Sequence, residues 1–89
     1  MSQSNLIPVR PEFIDERARL ERAIRAVLGA SREDSDVSQR QLAGKLGWSR
    51  NVIANLETGR RVLGLADFLL IAGALHIEPE RLLHRILRW

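Results

Sequence analysis

Arg50, Asn51 and Asn55 lie within six residues and carry groups suited to reading a nucleic acid. A guanidinium can bond bidentately to the O6 and N7 edge of guanine. A carboxamide can do the same at the N6 and N7 edge of adenine. Spacing matters as much as type. On a helix through this stretch Val52, Ile53 and Leu56 are the apolar residues that turn inward, which leaves Arg50, Asn51, Ala54 and Asn55 to face out.

The elements that would hold such a helix are written on either side of it. Leu42, Ala43 and Leu46 share one helical face, and Gly47 then breaks the run. Ser38 and Gln41 form an S-x-x-Q capping box at the start of this first helix. Ser49 is placed to cap the second helix, over 49–57, and Gly59 suits the left-handed position that ends it. Two short helices joined by a tight glycine turn make a helix-turn-helix unit, here 38–59, whose second helix enters the DNA major groove. Gly44 inside the first helix costs about 1 kcal/mol relative to Ala, which a close approach of the second helix would explain. Trp48 could stack on a base or sugar, but plugging the core at the helix junction suits its size better.

Charge is concentrated in the same place. Residues 38–61 hold Arg40, Lys45, Arg50, Arg60 and Arg61 against Glu57 alone, whereas the rest of the chain has nine basic and ten acidic residues. A charge run is often only a solvated face, but one that coincides with the motif marks a polyanion site. Eighty-nine residues form one small domain, burying roughly 60–65% of the unfolded chain's surface. There is no Cys, so disulfides and thiolate metal sites are excluded and a reducing compartment is expected. No signal-peptide core or membrane-spanning run is present in the sequence, which gives a cytoplasmic expectation with no membrane partner.

Residues 1–12, with Pro8 and Pro11, read as a flexible N-terminal arm ahead of a domain over 13–89. Its alternatives are packing of Leu6, Ile7 and Val9 on a partner subunit, or Arg10 reaching a DNA groove. A helix is expected from Phe13 to Ala30 on the stripe Leu20, Ile24, Val27 and Leu28, with Gly29 ending it and Arg17, Arg19, Arg22 and Arg25 on its solvated outer face. Ser31–Val37 reads as a polar acidic loop whose Glu33, Asp34 and Asp36 lack metal-loop spacing. Leu65, Phe68, Leu69, Ala72 and Leu75 form a further helical stripe expected in the core, ending at His76. Pro79 opens a last helix, 79–88. Leu82, Leu83, Ile86, Leu87 and Trp89 are too many apolar groups for one core-facing stripe there, so they are expected to supply a twofold dimer contact.

The run SQRQLAGKLGWSRNVIANLETGRR followed by LGLADFLLIAGALHIEPERLL resembles the Cro/lambda-repressor-type (xenobiotic-response-element) helix-turn-helix family. Ser38, Gln39, Leu42, Ala43, Gly47, Ser49, Ile53, Glu57, Gly59, Leu65, Ile71, Ala72, Leu75 and Ile77 match its pattern. Leu63 stands where the family usually has proline, and Trp48 where it has a small aliphatic. The resemblance implies an all-α, five-helix, lambda-repressor-like domain that binds operator DNA, usually as a dimer on a palindrome. It implies base contacts from Arg50, Asn51 and Asn55, and phosphate contacts from Ser38, Gln39, Ser49, Arg60 and Arg61; Lys45 joins this set by its charge. Gln39 would also brace the recognition helix. Glu57 is expected to pair with an arginine, Arg32 being one candidate.

The expected function is a dimeric repressor or autoregulator that covers promoter DNA. The alternative is an antitoxin or adaptor that binds a partner protein through the arm or last helix and autoregulates its own operon. Catalysis is not expected, because the sequence has no nucleophile–base pair, phosphate-cradling glycine loop or metal-ligand cluster. No cofactor is expected either.

Overall fold

The computed structural model describes residues 7–89, so part of the expected arm, Leu6 included, lies outside the described residues. Among the described residues a 3-10 turn at Pro11–Phe13 leads into five α-helices: α1 Ile14–Asp34, α2 Gln39–Leu46, α3 Arg50–Thr58, α4 Leu65–Ala74 and α5 Pro79–Arg88. The fold is all-α, as the periodicities require. Its core takes Ala23, Val27 and Leu28 from α1, Leu42 and Ala43 from α2, Ile53 and Leu56 from α3, Phe68, Ile71 and Ala72 from α4, and Leu82 and Ile86 from α5. Leu75, at the end of α4, completes it.

α1 is longer than the sequence suggests. Gly29 does not end it, and Ser31–Asp34 is helical rather than loop. The reason is tertiary. Ser31 is fully buried and accepts a 2.7 Å hydrogen bond from Arg85 of α5, while Arg32 is buried against α3. These partners hold one more turn of helix than the local composition favours. The helix stops where the Ser35 hydroxyl donates to the Ser31 carbonyl at 2.9 Å and Asp36 takes a left-handed φ of 58°. At the other end, residues 14–22 include no buried side chain, and Ala23 is the first to be enclosed.

Two expected stripes shift. On α4 the buried positions are Phe68, Ile71 and Ala72, whereas Leu65 and Leu69 are 74% and 46% exposed. The helix is apolar nearly all round, so its composition did not single out the inward face. On α5 the five residues expected at a dimer contact divide. Leu82 and Ile86, at 0% and 4% exposure, belong to the monomer's own core, and only Leu83, Leu87 and Trp89 remain outside. Leu83 and Leu87 border an apolar groove of about 390 Å³ that Leu20, Leu65 and Phe68 also line.

Candidate nucleic-acid interface

α2 and α3 are positioned by the local signals read from the sequence. Ser38 Oγ accepts from the Gln41 amide at 3.0 Å, and Gln41 Oε1 accepts from the Ser38 amide at 2.8 Å, so the capping box is complete. Gly47 follows with φ 74°, a left-handed turn that an L side chain would strain. α3 then begins at Arg50 with Ser49 as its N-cap residue, but the Ser49 side chain makes no capping bond. The expected cap is therefore absent and the Ser49 hydroxyl is not committed to the helix. Gly59, with φ 85°, closes α3, and the Asn55 carbonyl accepts from the amides of Arg60 and Arg61 at 2.9 and 3.1 Å.

Ile53 and Leu56 fix α3 inward, with Val52 partly buried beside them. Arg50 and Asn51 are exposed and Asn55 is half-buried. Among the described residues, the Asn51 and Asn55 carboxamides make no hydrogen bond to the protein. The outward side of α3 therefore offers the amide groups that the spacing indicates, with small Ala54 between them.

Beneath α3 lies a buried ion pair. Arg32 donates from Nε to Glu57 Oε2 at 2.7 Å and from Nη2 to Glu57 Oε1 at 3.1 Å, a bidentate fork between α1 and α3. Both side chains are almost enclosed, at 10% and 13% exposure. Arg32 Nη1 also donates to the Val37 carbonyl at 2.8 Å, tying the turn before α2 to the same group. Hydrogen bonding to Glu57 pushes the Arg32 guanidinium above its ordinary range; burial opposes this, and the negative charges of Glu57 and Glu33 add to the rise. Arg32 is one of the arginines the sequence offers as a partner for Glu57, and the geometry selects it.

Gln39 connects this pair to the exposed face. Its Nε2 donates to Glu57 Oε1 at 2.9 Å, and its Oε1 accepts from Arg50 Nη1 at 3.1 Å. The Gln39 side chain thus spans α2, the end of α3 and the start of α3. The second amide hydrogen of Gln39 and its backbone N–H in the first turn of α2 are the donors that a phosphate contact by this residue would have to use. Ser38 keeps its hydroxyl proton to donate, since Oγ only accepts in the capping box.

Lys45, Arg60 and Arg61 are exposed, as phosphate contacts require, and so is Arg40. Arg25 departs from expectation. Its guanidinium packs over Gly59, close enough that a Cβ there would sit 3.0 Å from Arg25 Cζ. Arg25 and Arg61 line one shallow groove at the end of α3. Only the tertiary approach of α1 reveals this, because the sequence pattern assigns Arg25 to a solvated face. Trp48 is partly buried against the core, in keeping with a plug at the helix junction, and its remaining edge borders Val52, Arg61 and Asp67. Gly44 has no atom of another element near its Cβ position, so a close approach by α3 is not its reason. Asp34 lies 3.6 Å from Arg85 of α5. Among the described residues no group of acids or histidines is arranged to hold a metal ion, and no helix is long and apolar enough to cross a membrane.

Comparison with known proteins agrees with this geometry. A family model described as a helix-turn-helix domain matches residues 23–85, from the middle of α1 into α5. No curated protein matches the chain.

Proposed function

We propose, from the premise that this chain belongs to the helix-turn-helix domain family, that it is a sequence-specific transcriptional regulator that binds a palindromic operator as a homodimer. The observation that carries this reading is the outward side of α3. Arg50, Asn51 and Asn55 project from a helix whose Ile53 and Leu56 are locked in the core. Arg50 would read guanine, and Asn51 and Asn55 adenine, in the major groove. Ser38, Gln39, Lys45, Ser49, Arg60 and Arg61 would hold the backbone and supply salt-dependent affinity. In the dimer, Leu83, Leu87 and Trp89 of each copy would meet and set two α3 helices one helical turn apart. Bound at a promoter, the dimer would exclude polymerase and act as a repressor or autoregulator.

Selection of bound duplexes from a random pool tests this directly. Enrichment of a twofold-symmetric site supports the reading. Arg50→Ala should then relax the preference at one base pair per half-site and cost about 1–3 kcal/mol of binding. An unenriched pool, or unchanged binding by that variant, would overturn it.

A second reading, an antitoxin or adaptor that binds a partner protein, is favoured by one observation. Leu65, Leu69 and Leu70 of α4 are all exposed, and a contact through α5 would not need all of them. A stable complex with the product of an adjacent gene, seen by light scattering, would support that alternative.

A further inference from the structure

Two grooves run into each other beside α1. The larger, of about 390 Å³, is an apolar trough between α1, α4 and α5, walled by Leu20, Leu65, Phe68, Leu83 and Leu87. A trough of this size falls within the range of small-molecule clefts, about 300–1,000 Å³. The smaller, of about 130 Å³, lies at the end of α3 and carries the guanidinium groups of Arg25 and Arg61. Ile24 and Leu63 line both, so the trough continues into a cationic end. Leu63, which stands in place of the family's usual proline, is thus a wall common to the two. Arg25 is held in place yet uncommitted. A Cβ at Gly59 would lie 3.0 Å from each of Arg25 Cζ, Nε and Nη1, so the flat of the guanidinium covers the glycine and its N–H edge is left over. The described ion pairs engage Arg10, Arg19, Arg32 and Arg85, and neither Arg25 nor Arg61. Among the described residues Glu21 is the one acid on the lining of the smaller groove, against these two arginines.

We propose that the joined grooves bind an amphiphilic carboxylate, with its alkyl chain in the trough and its head group between Arg25 and Arg61. The side chains that line the trough are all apolar, so it takes an alkyl body by burial alone. Charge and shape choose the head. A planar carboxylate matches the fork of a guanidinium, and the smaller groove has little room for a bulky group. Glu21 repels a second negative charge, which favours a singly charged carboxylate over a phosphate dianion. Occupation also reaches DNA binding, and this step alone rests on the function proposed above. The bound head group takes Arg61 from the phosphate backbone, and the chain covers the Leu83–Leu87 border given to the dimer. The amphiphile is then an effector that releases the operator.

Titration of the full chain with decanoate, kept below its micellar concentration and followed by methyl NMR, tests the site. Shifts that saturate at one ligand per chain and map to Leu20, Leu63, Leu65, Leu83 and Leu87 support it. Decanol, with the same chain and no charge, should bind about tenfold or more weakly. Arg25→Gln and Arg61→Gln should each lower decanoate affinity toward that of the alcohol and leave decanol unchanged. Arg61 is exposed, so its variant decides the matter should Arg25→Gln fail to fold. Leu65→Asp sets a charge on the trough wall at the first position of α4, where an acid suits the helix dipole. It should weaken both ligands. Equal affinity for acid and alcohol, or arginine variants that bind decanoate as the wild type does, overturns the proposal. So do shifts that never saturate, or a dimer whose interface shuts decanoate out, which makes a second copy the occupant. A separate arm adds saturating decanoate to the protein on its selected duplex, where DNA affinity should fall about fivefold or more. Unchanged DNA affinity overturns the effector role. If the wild-type protein selects no sequence, the DNA reading is lost, and the ligand titration still decides the site.

Discussion

Arg32 and Arg61 carry the same charge and answer to different physics. Arg32 sits almost enclosed, with both of its forked bonds on Glu57. Its replacement by Met would leave a carboxylate between α1 and α3 with Gln39 as its remaining donor. That should cost about 3–5 kcal/mol of folding stability, read as a lower urea midpoint. Arg61 is exposed, so Arg61→Ala should leave the urea midpoint nearly unchanged. It should weaken binding to all duplexes alike and reduce the slope of log affinity against log salt by about 1. The side chains that face outward on α3 were legible in the sequence because a 3.6-residue period sorts them from their anchors. The partnership of Arg32 was only one option there, since Glu57 is 25 residues further along the chain.

At the scale of elements, what is local was readable and what is tertiary was not. α2, α3 and α5 follow their caps and breakers: the Ser38–Gln41 box, Gly47, Gly59 and Pro79 all stand where the helices start or stop. The last turn of α1 does not follow such rules. Its polar sequence reads as loop, and the Arg85 that secures Ser31 is 54 residues away. The inward face of α4 was read only in part: Phe68, Ala72 and Leu75 are buried as expected, but Leu65 and Leu69 are exposed and Ile71 takes their place, because apolar residues on all sides carry little direction. Two glycines separated by three positions in and after α2 give opposite tests. Gly44 is helical and exposed with open space at its Cβ, so Gly44→Ala should raise stability by about 0.5–1 kcal/mol. Gly47 holds φ at 74°, and Gly47→Ala should lower stability by about 1–2 kcal/mol. Thermal unfolding followed by circular dichroism separates the two.

For the whole molecule, the division of α5 changes how a dimer has to be tested. Removing the helix would take Leu82 and Ile86 out of the core and confuse unfolding with dissociation. Leu83→Glu together with Leu87→Glu places the change on the exposed border of the apolar groove. Light scattering should then report monomers that retain their helical circular dichroism, with affinity for a palindrome reduced to that for a single half-site. Leu82→Ala should instead cost about 2–5 kcal/mol of stability. α1 also joins two kinds of environment in one rod. Its C-terminal half puts Val27 and Leu28 in the core and is pinned by Ser31 and Arg32, whereas its opening turns, up to Arg22, have no buried side chain. Amide protons there should exchange with deuterium through fraying alone, on a scale far faster than those of Val27–Arg32, which wait for global opening. The same rod would then serve as an internal clock, its two ends timing local breathing against complete unfolding in one experiment.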